Sequence, residues 1–104
     1  MNTEEVIQQC KKILAHHYQA RFQGLVLYGS LARQQATPAS DIDLLVLLSP
    51  PFDYFQELYT IVDLLYPVQL ESMQLISAKP ATVPDFEEGS RQFYRNAKRE
   101  GIVV

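Results

Sequence analysis

Gly24-Leu25-Val26-Leu27-Tyr28-Gly29-Ser30-Leu31-Ala32-Arg33 and, seven residues later, Asp41-Ile42-Asp43-Leu44-Leu45-Val46-Leu47-Leu48 decide how this chain folds. Residues 24–28 form a short apolar run closed by Gly29, the pattern of a buried strand. Ser30 to Gln35 suit a short helix, and Thr37-Pro38-Ala39-Ser40 a turn. Residues 41–48 read as a second buried strand, stopped by Ser49-Pro50-Pro51.

On the N-terminal side, Val6, Cys10, Ile13, Leu14 and Tyr18 recur at helical spacing, which predicts a helix from Thr3 to Tyr18. Asn2, with Glu5 three residues on, is a capping box. On the C-terminal side, Phe52 to Tyr66 predicts a helix with Phe55, Leu58, Tyr59, Val62 and Leu65 on one face, ended by Pro67. Val68 to Ser77 is a third strand candidate and Ala78 to Val83 a loop. Thr82, followed by Pro84 and Asp85, opens a last helix reaching Glu100, with Phe86, Phe93, Tyr94 and Ala97 on its apolar side. Gly101 caps that helix, and Ile102-Val103-Val104 suits an edge strand. No repeat or Gly/Ser linker divides the chain, so residues 1–104 read as one domain. The expected class is α/β or α+β: a small mixed sheet flanked by helices.

Composition sets outer bounds. In 104 residues, 47% are hydrophobic and 20% charged, which is globular rather than disordered. A net charge of -3 argues against gripping nucleic acid by bulk positive charge, so no direct nucleic-acid binding is expected. One cysteine, Cys10, allows neither an internal disulfide nor a zinc cluster, and it falls on the apolar face of the first helix. No apolar run approaches the roughly 18 residues of a membrane span, and the first residues lack a signal-peptide pattern. A cytoplasmic protein without membrane attachment is the expectation.

Two devices in the central stretch carry chemistry. Gly29-Ser30 ends a strand and begins a helix; glycine permits a tight turn, and the free N–H groups of the helix start suit a phosphate. Asp41 and Asp43, two apart on a strand, share a face, with backbones roughly 6–7 Å apart. Two carboxylates so placed repel, and a hard divalent cation removes the conflict. The plainer reading has Asp41 capping a turn and Asp43 solvated at the sheet edge. The two devices on neighbouring strands make one cleft, and a metal-bridged nucleoside triphosphate is the ligand that suits both. Arg33, one helical turn past Ser30, reaches toward the phosphates or serves the surface. His16 and His17 suit the end of the first helix as dipole partners. Arg91, Arg95, Lys98 and Arg99 read as a solvated basic face or a patch for an acidic partner. Phe52, Tyr54, Phe55, Tyr59 and Tyr66 read mostly as core, with a surplus for this size that suits an interface.

The pattern Gly29-Ser30, ten residues, then Asp41-x-Asp43 within Ser40-Asp41-Ile42-Asp43-Leu44-Leu45-Val46 resembles the minimal nucleotidyltransferases of the polymerase-β-type superfamily. The element order and the ending Phe93-Tyr94-Arg95-Asn96-Ala97-Lys98-Arg99-Glu100-Gly101-Ile102 extend the resemblance over nearly the whole chain. It implies a triphosphate held at Gly29, Ser30 and Arg33, and two Mg2+ ions held by Asp41 and Asp43. It implies transfer of a nucleoside monophosphate, with ATP the expected substrate, to a hydroxyl. The family carries a third carboxylate on a neighbouring strand; Glu71 is the candidate as base or metal ligand, and another register would put Gln69 there instead. Small members of this kind resemble antitoxins that add AMP to a tyrosine of a HEPN-domain toxin. The alternatives are a binding module that occludes such a partner, and a transferase acting on a small molecule. A homo-oligomer or hetero-complex suits the size and the aromatic content.

Overall fold

The structure is a computed structural model and describes residues 1–29, 31–32 and 40–104. Ser30, Arg33 and most of the short helix and turn expected over residues 30–40 lie outside the described residues. The elements run α1 (Thr3–Tyr18), β1 (Phe22–Tyr28), β2 (Ile42–Leu48), α2 (Tyr54–Glu71), β3 (Ile76–Thr82), α3 (Val83–Glu88), α4 (Gln92–Glu100) and β4 (Ile102–Val103). A short 3-10 turn, Gln19–Arg21, links α1 to β1.

The four strands form one mixed sheet in the order β3-β2-β1-β4. β1 pairs antiparallel with β2 and β4, and β2 pairs parallel with β3. The parallel pair needs a crossover, and α2 supplies it. Leu44 to Leu48 are all buried, because β2 is internal and both sheet faces are covered. Ile42, Leu44, Val46 and Leu48 pack on one face against Val6, Cys10 and Leu14 of α1 and Ile61, Leu65 and Val68 of α2. Leu45 and Leu47 turn to the other face, with Val26, Ala81, Phe86 of α3 and Ala97 of α4. Each such side chain contributes about 1.5–3 kcal/mol on burial. The continuous apolar run of β2 is therefore the centre of the fold, and it fixes which way Asp43 faces.

The capping box of α1 forms as the sequence implies: the Asn2 side chain accepts from the Glu5 N–H at 2.8 Å. Thr82 caps α3 by accepting from the Asp85 N–H at 3.1 Å. Gly101 caps α4, and residues 102–103 pair with Val26 and Leu27 as an edge strand.

Three expectations change. First, α2 does not stop at Pro67 but runs through it to Glu71. Pro67 lies on the exposed side, where a carbonyl left without its N–H partner is open to solvent rather than stranded in the core. The buried face of α2 is Ile61, Leu65 and Val68, while Phe55, Tyr59 and Val62 point outward. Second, the third strand is 76–82 rather than 68–77. Pro80 made this segment read as loop, yet β3 is an edge strand, where a proline costs no ladder bond. Third, the last helix is two. Gly89, at φ +64, closes α3 by donating its N–H to the Asp85 and Phe86 carbonyls, and Arg95 Nη1 donates to its carbonyl at 2.8 Å. That left-handed residue turns the chain before α4 begins.

Candidate active site

The site is built where β1 ends beside the start of β2. In the antiparallel ladder Tyr28 is the partner of Asp43, so Gly29 emerges next to the Asp43 carboxylate. Gly29 sits at φ +76, a conformation that L side chains rarely adopt. A Cβ placed there would overlap Asp43 Oδ2 and lie 3.2 Å from its Cγ. The glycine thus opens the turn for a ligand and makes room for the carboxylate at once.

Ile42 is fully buried on the α1/α2 face and its neighbours are turned away from it. Asp41 just precedes the strand and is exposed; Asp43 is half-buried on the α3/α4 face. The pair expected from the sequence is therefore brought to one end of the sheet, with the Gly29 turn beside it. A cleft of about 220 Å³ opens at this place, lined by Tyr28, Gly29, Phe93, Asn96, Ala97 and Glu100. The Tyr28 ring meets Phe93 edge-on, centroids 5.2 Å apart. Burial, the Asp43 charge and Tyr54 push the Tyr28 hydroxyl up to about 12. Tyr28 is thus a neutral hydrogen-bonding wall beside the carboxylate.

Glu71 does not join the site. It is the exposed last residue of α2, on a helix rather than a strand. Gln69 does not join it either: its Nε2 donates to the Gln74 carbonyl at 3.1 Å and its Oε1 accepts from the Ile76 N–H at 2.7 Å. It clamps the end of α2 to the start of β3. The strand beside β2 is β3, and the residue paired with Asp43 is Ser77. Lys79, two residues on, shares that face, its Nζ 5.4 Å from the Phe93 ring centre. A serine and a lysine stand where a third acid was expected. The period-two pattern Ile76, Ala78, Pro80 against Ser77, Lys79, Ala81 was the available signal, and Pro80 hid it. Among the described residues no three His, Cys, Asp or Glu side chains cluster as a metal site.

The donor set of Asp41 and Asp43 fits magnesium, which binds through one or two carboxylates completed by substrate phosphates. Gly29 lets the Asp43 carboxylate lie against the backbone of the turn, since a Cβ there would overlap Oδ2. Magnesium held there would neutralise phosphate charge and lower the pKa of an attacking hydroxyl. The chain's own part is positioning. Gly29 would let backbone approach a bound phosphate, Asp43 is fixed by its place on the central strand, and Lys79 offers a cation on the same face.

Of the remaining charged groups, Lys98 bonds Glu87 at 2.8 Å and Arg95 bonds Gly89, so both tie α4 to α3. Cys10 is fully buried, and burial pushes its thiol up to about 11. Neither bears on the site.

A strand closed by a left-handed glycine lies beside a strand that carries Asp43, with Asp41 just before it. The chain belongs to the nucleotidyltransferase domain family, whose sequence pattern matches residues 7–102. It is a nucleotidyltransferase. It is 33% identical over 108 residues to a Methanocaldococcus jannaschii protein named "Putative protein adenylyltransferase", a match covering 100% of this chain and 99% of that one. The fold is shared with a crystal structure described as a "putative nucleotidyltransferase" from Sulfolobus solfataricus. That likeness has a TM-score of 0.70 at 13% identity and covers 95% of this chain and 76% of the other. No helix among the described residues is long and apolar enough to cross a membrane.

Proposed function

We propose that this nucleotidyltransferase transfers AMP from ATP, with two Mg2+ ions, to a tyrosine hydroxyl of a protein partner, a HEPN-domain toxin that it silences as antitoxin. The observation that carries the reading is Asp43 set against the Gly29 turn, with Asp41 two residues before it at the same end of β2. An end-to-end relative named for protein adenylylation supports a protein acceptor. So does the outer side of α2, where Phe55, Tyr59, Val62, Tyr66 and Leu70 are each more than half exposed. An apolar stripe of that kind suits a docking partner. A phenol also needs less help from a base than an alkyl alcohol, which suits a site with serine and lysine beside Asp43.

A second reading follows from that same serine and lysine: a module that binds the partner and occludes it with little turnover. Incubation with α-phosphate-labelled ATP, magnesium and lysate of the source cells tests both. Transfer predicts a labelled protein band that is lost in Asp43→Asn, a variant that keeps side-chain size and the fold. Label appearing on a small molecule, or no label from a folded protein, would overturn the reading, the latter in favour of occlusion.

A further inference from the structure

A second and larger cleft, about 510 Å³, lies on the same α3/α4 side of the sheet. Its walls are aromatic: Phe52, Tyr54 and Phe55 at the start of α2, and Tyr94 of α4. Two charged side chains, Asp85 and Arg91, stand at its rim. Neither makes a hydrogen bond or ion pair through its side chain with any described residue. The volume is that of a small-molecule site. A small core gains nothing from leaving four aromatic side chains around open space, whereas a planar ring system would fill it.

The cleft lies on the same face of the sheet as Asp43. Its lining includes Ala81, four residues along β3 from Ser77, the partner of Asp43, and on the same face. That is about 13 Å of strand, comparable with the span of a nucleotide from its phosphate to the far edge of its base. Lys79 stands between, on the same face. Tyr54 acts electrostatically on the hydroxyls of both Tyr28, beside the smaller cleft, and Tyr94, beside the larger one.

We propose that the large cleft receives the base of the nucleoside triphosphate, stacked among the aromatic walls with an amino-bearing edge turned toward Asp85 and Arg91. The inference rests on the reading that the triphosphate binds at Gly29 and Asp43. A base fits the polar rim better than an acceptor tyrosine does. A carboxylate accepts from an exocyclic amine and a guanidinium donates to a ring nitrogen, while a tyrosine has one polar group, which must point at Asp43. Stacking alone tolerates any base; Asp85 makes the site prefer one with an amine.

Calorimetry with magnesium tests this on three ligands: ATP, purine riboside triphosphate (which lacks only the 6-amino group) and inorganic tripolyphosphate. The wild type is expected to bind ATP more tightly than either of the others. Tyr94→Ala should weaken ATP by roughly tenfold and leave tripolyphosphate unchanged. Asp85→Ala, at an exposed position, should remove a preference of roughly tenfold for ATP over purine riboside triphosphate. Retained tripolyphosphate binding shows that each variant is folded. Equal affinity for ATP and tripolyphosphate in the wild type overturns the cleft assignment alone. So do variants that bind all three ligands normally but lose protein labelling, which would give the cleft to the acceptor. Failure of all three ligands to bind overturns the phosphate site, and the cleft with it.

Discussion

Replacing Gly29 by alanine tests the geometry of the site at its narrowest point. Two effects are separable. The backbone at φ +76 costs an L residue about 1–2 kcal/mol. In a domain of this size that lowers Tm by about 4–16 °C. The new Cβ would also overlap Asp43 Oδ2, with Asp43 Cγ at 3.2 Å and Cβ at 3.4 Å, so the carboxylate must swing away by about an ångström. Misplacement on that scale costs about a hundredfold in rate. Gly89→Ala is the control. Its φ of +64 carries the same backbone cost, but its Cβ would meet Arg95 Cγ at 2.6 Å, a flexible side chain far from Asp43. Thermal melting and transfer of α-phosphate label, measured on both variants, should show similar losses of Tm and unlike losses of transfer. The reasoning is refuted if Gly29→Ala, corrected for the folded fraction, transfers as fast as Gly89→Ala.

Glu71→Gln is expected to leave both transfer and stability within error, since Glu71 is exposed at a helix end; a large loss of transfer would restore it as the third acid. Gln69→Ala should instead lower stability by about 1–3 kcal/mol in a denaturant titration, because the Ile76 N–H loses its acceptor. Stability should also fall at alkaline pH. Burial, aided by Glu57, pushes Tyr18 up to about 12, and burial with Asp43 does the same to Tyr28. Below about pH 10 folded and unfolded chains both hold these protons and the contribution is whole; above it the unfolded chain sheds them first, so stability declines as pH rises to about 12. Denaturation midpoints measured across that range should drop, and less steeply in Tyr18→Phe; identical slopes would remove Tyr18 from the account.

Much of the fold is legible before any coordinates. The apolar run 44–48 can only be an internal strand, because nothing else buries five consecutive large side chains on two faces. Asn2 and Thr82 mark helix starts through local hydrogen bonds that need no tertiary context. The two carboxylates and the glycine turn are likewise local, since strand alternation alone fixes that Asp43 opposes Ile42.

The tertiary structure decided the rest. Whether a proline ends a helix or a strand depends on which side meets water and whether the strand is at an edge, so Pro67 and Pro80 each misled in isolation. Which stripe of α2 is core depends on where the sheet lies, so Phe55 and Tyr59 were placed inside and stand outside. The neighbour of Asp43 on β3 depends on a register set by a crossover of eighteen helical residues. Spacing along the chain carries no information about that register. Ser77 and Lys79, rather than Glu71, face the carboxylate because long-range pairing put them there.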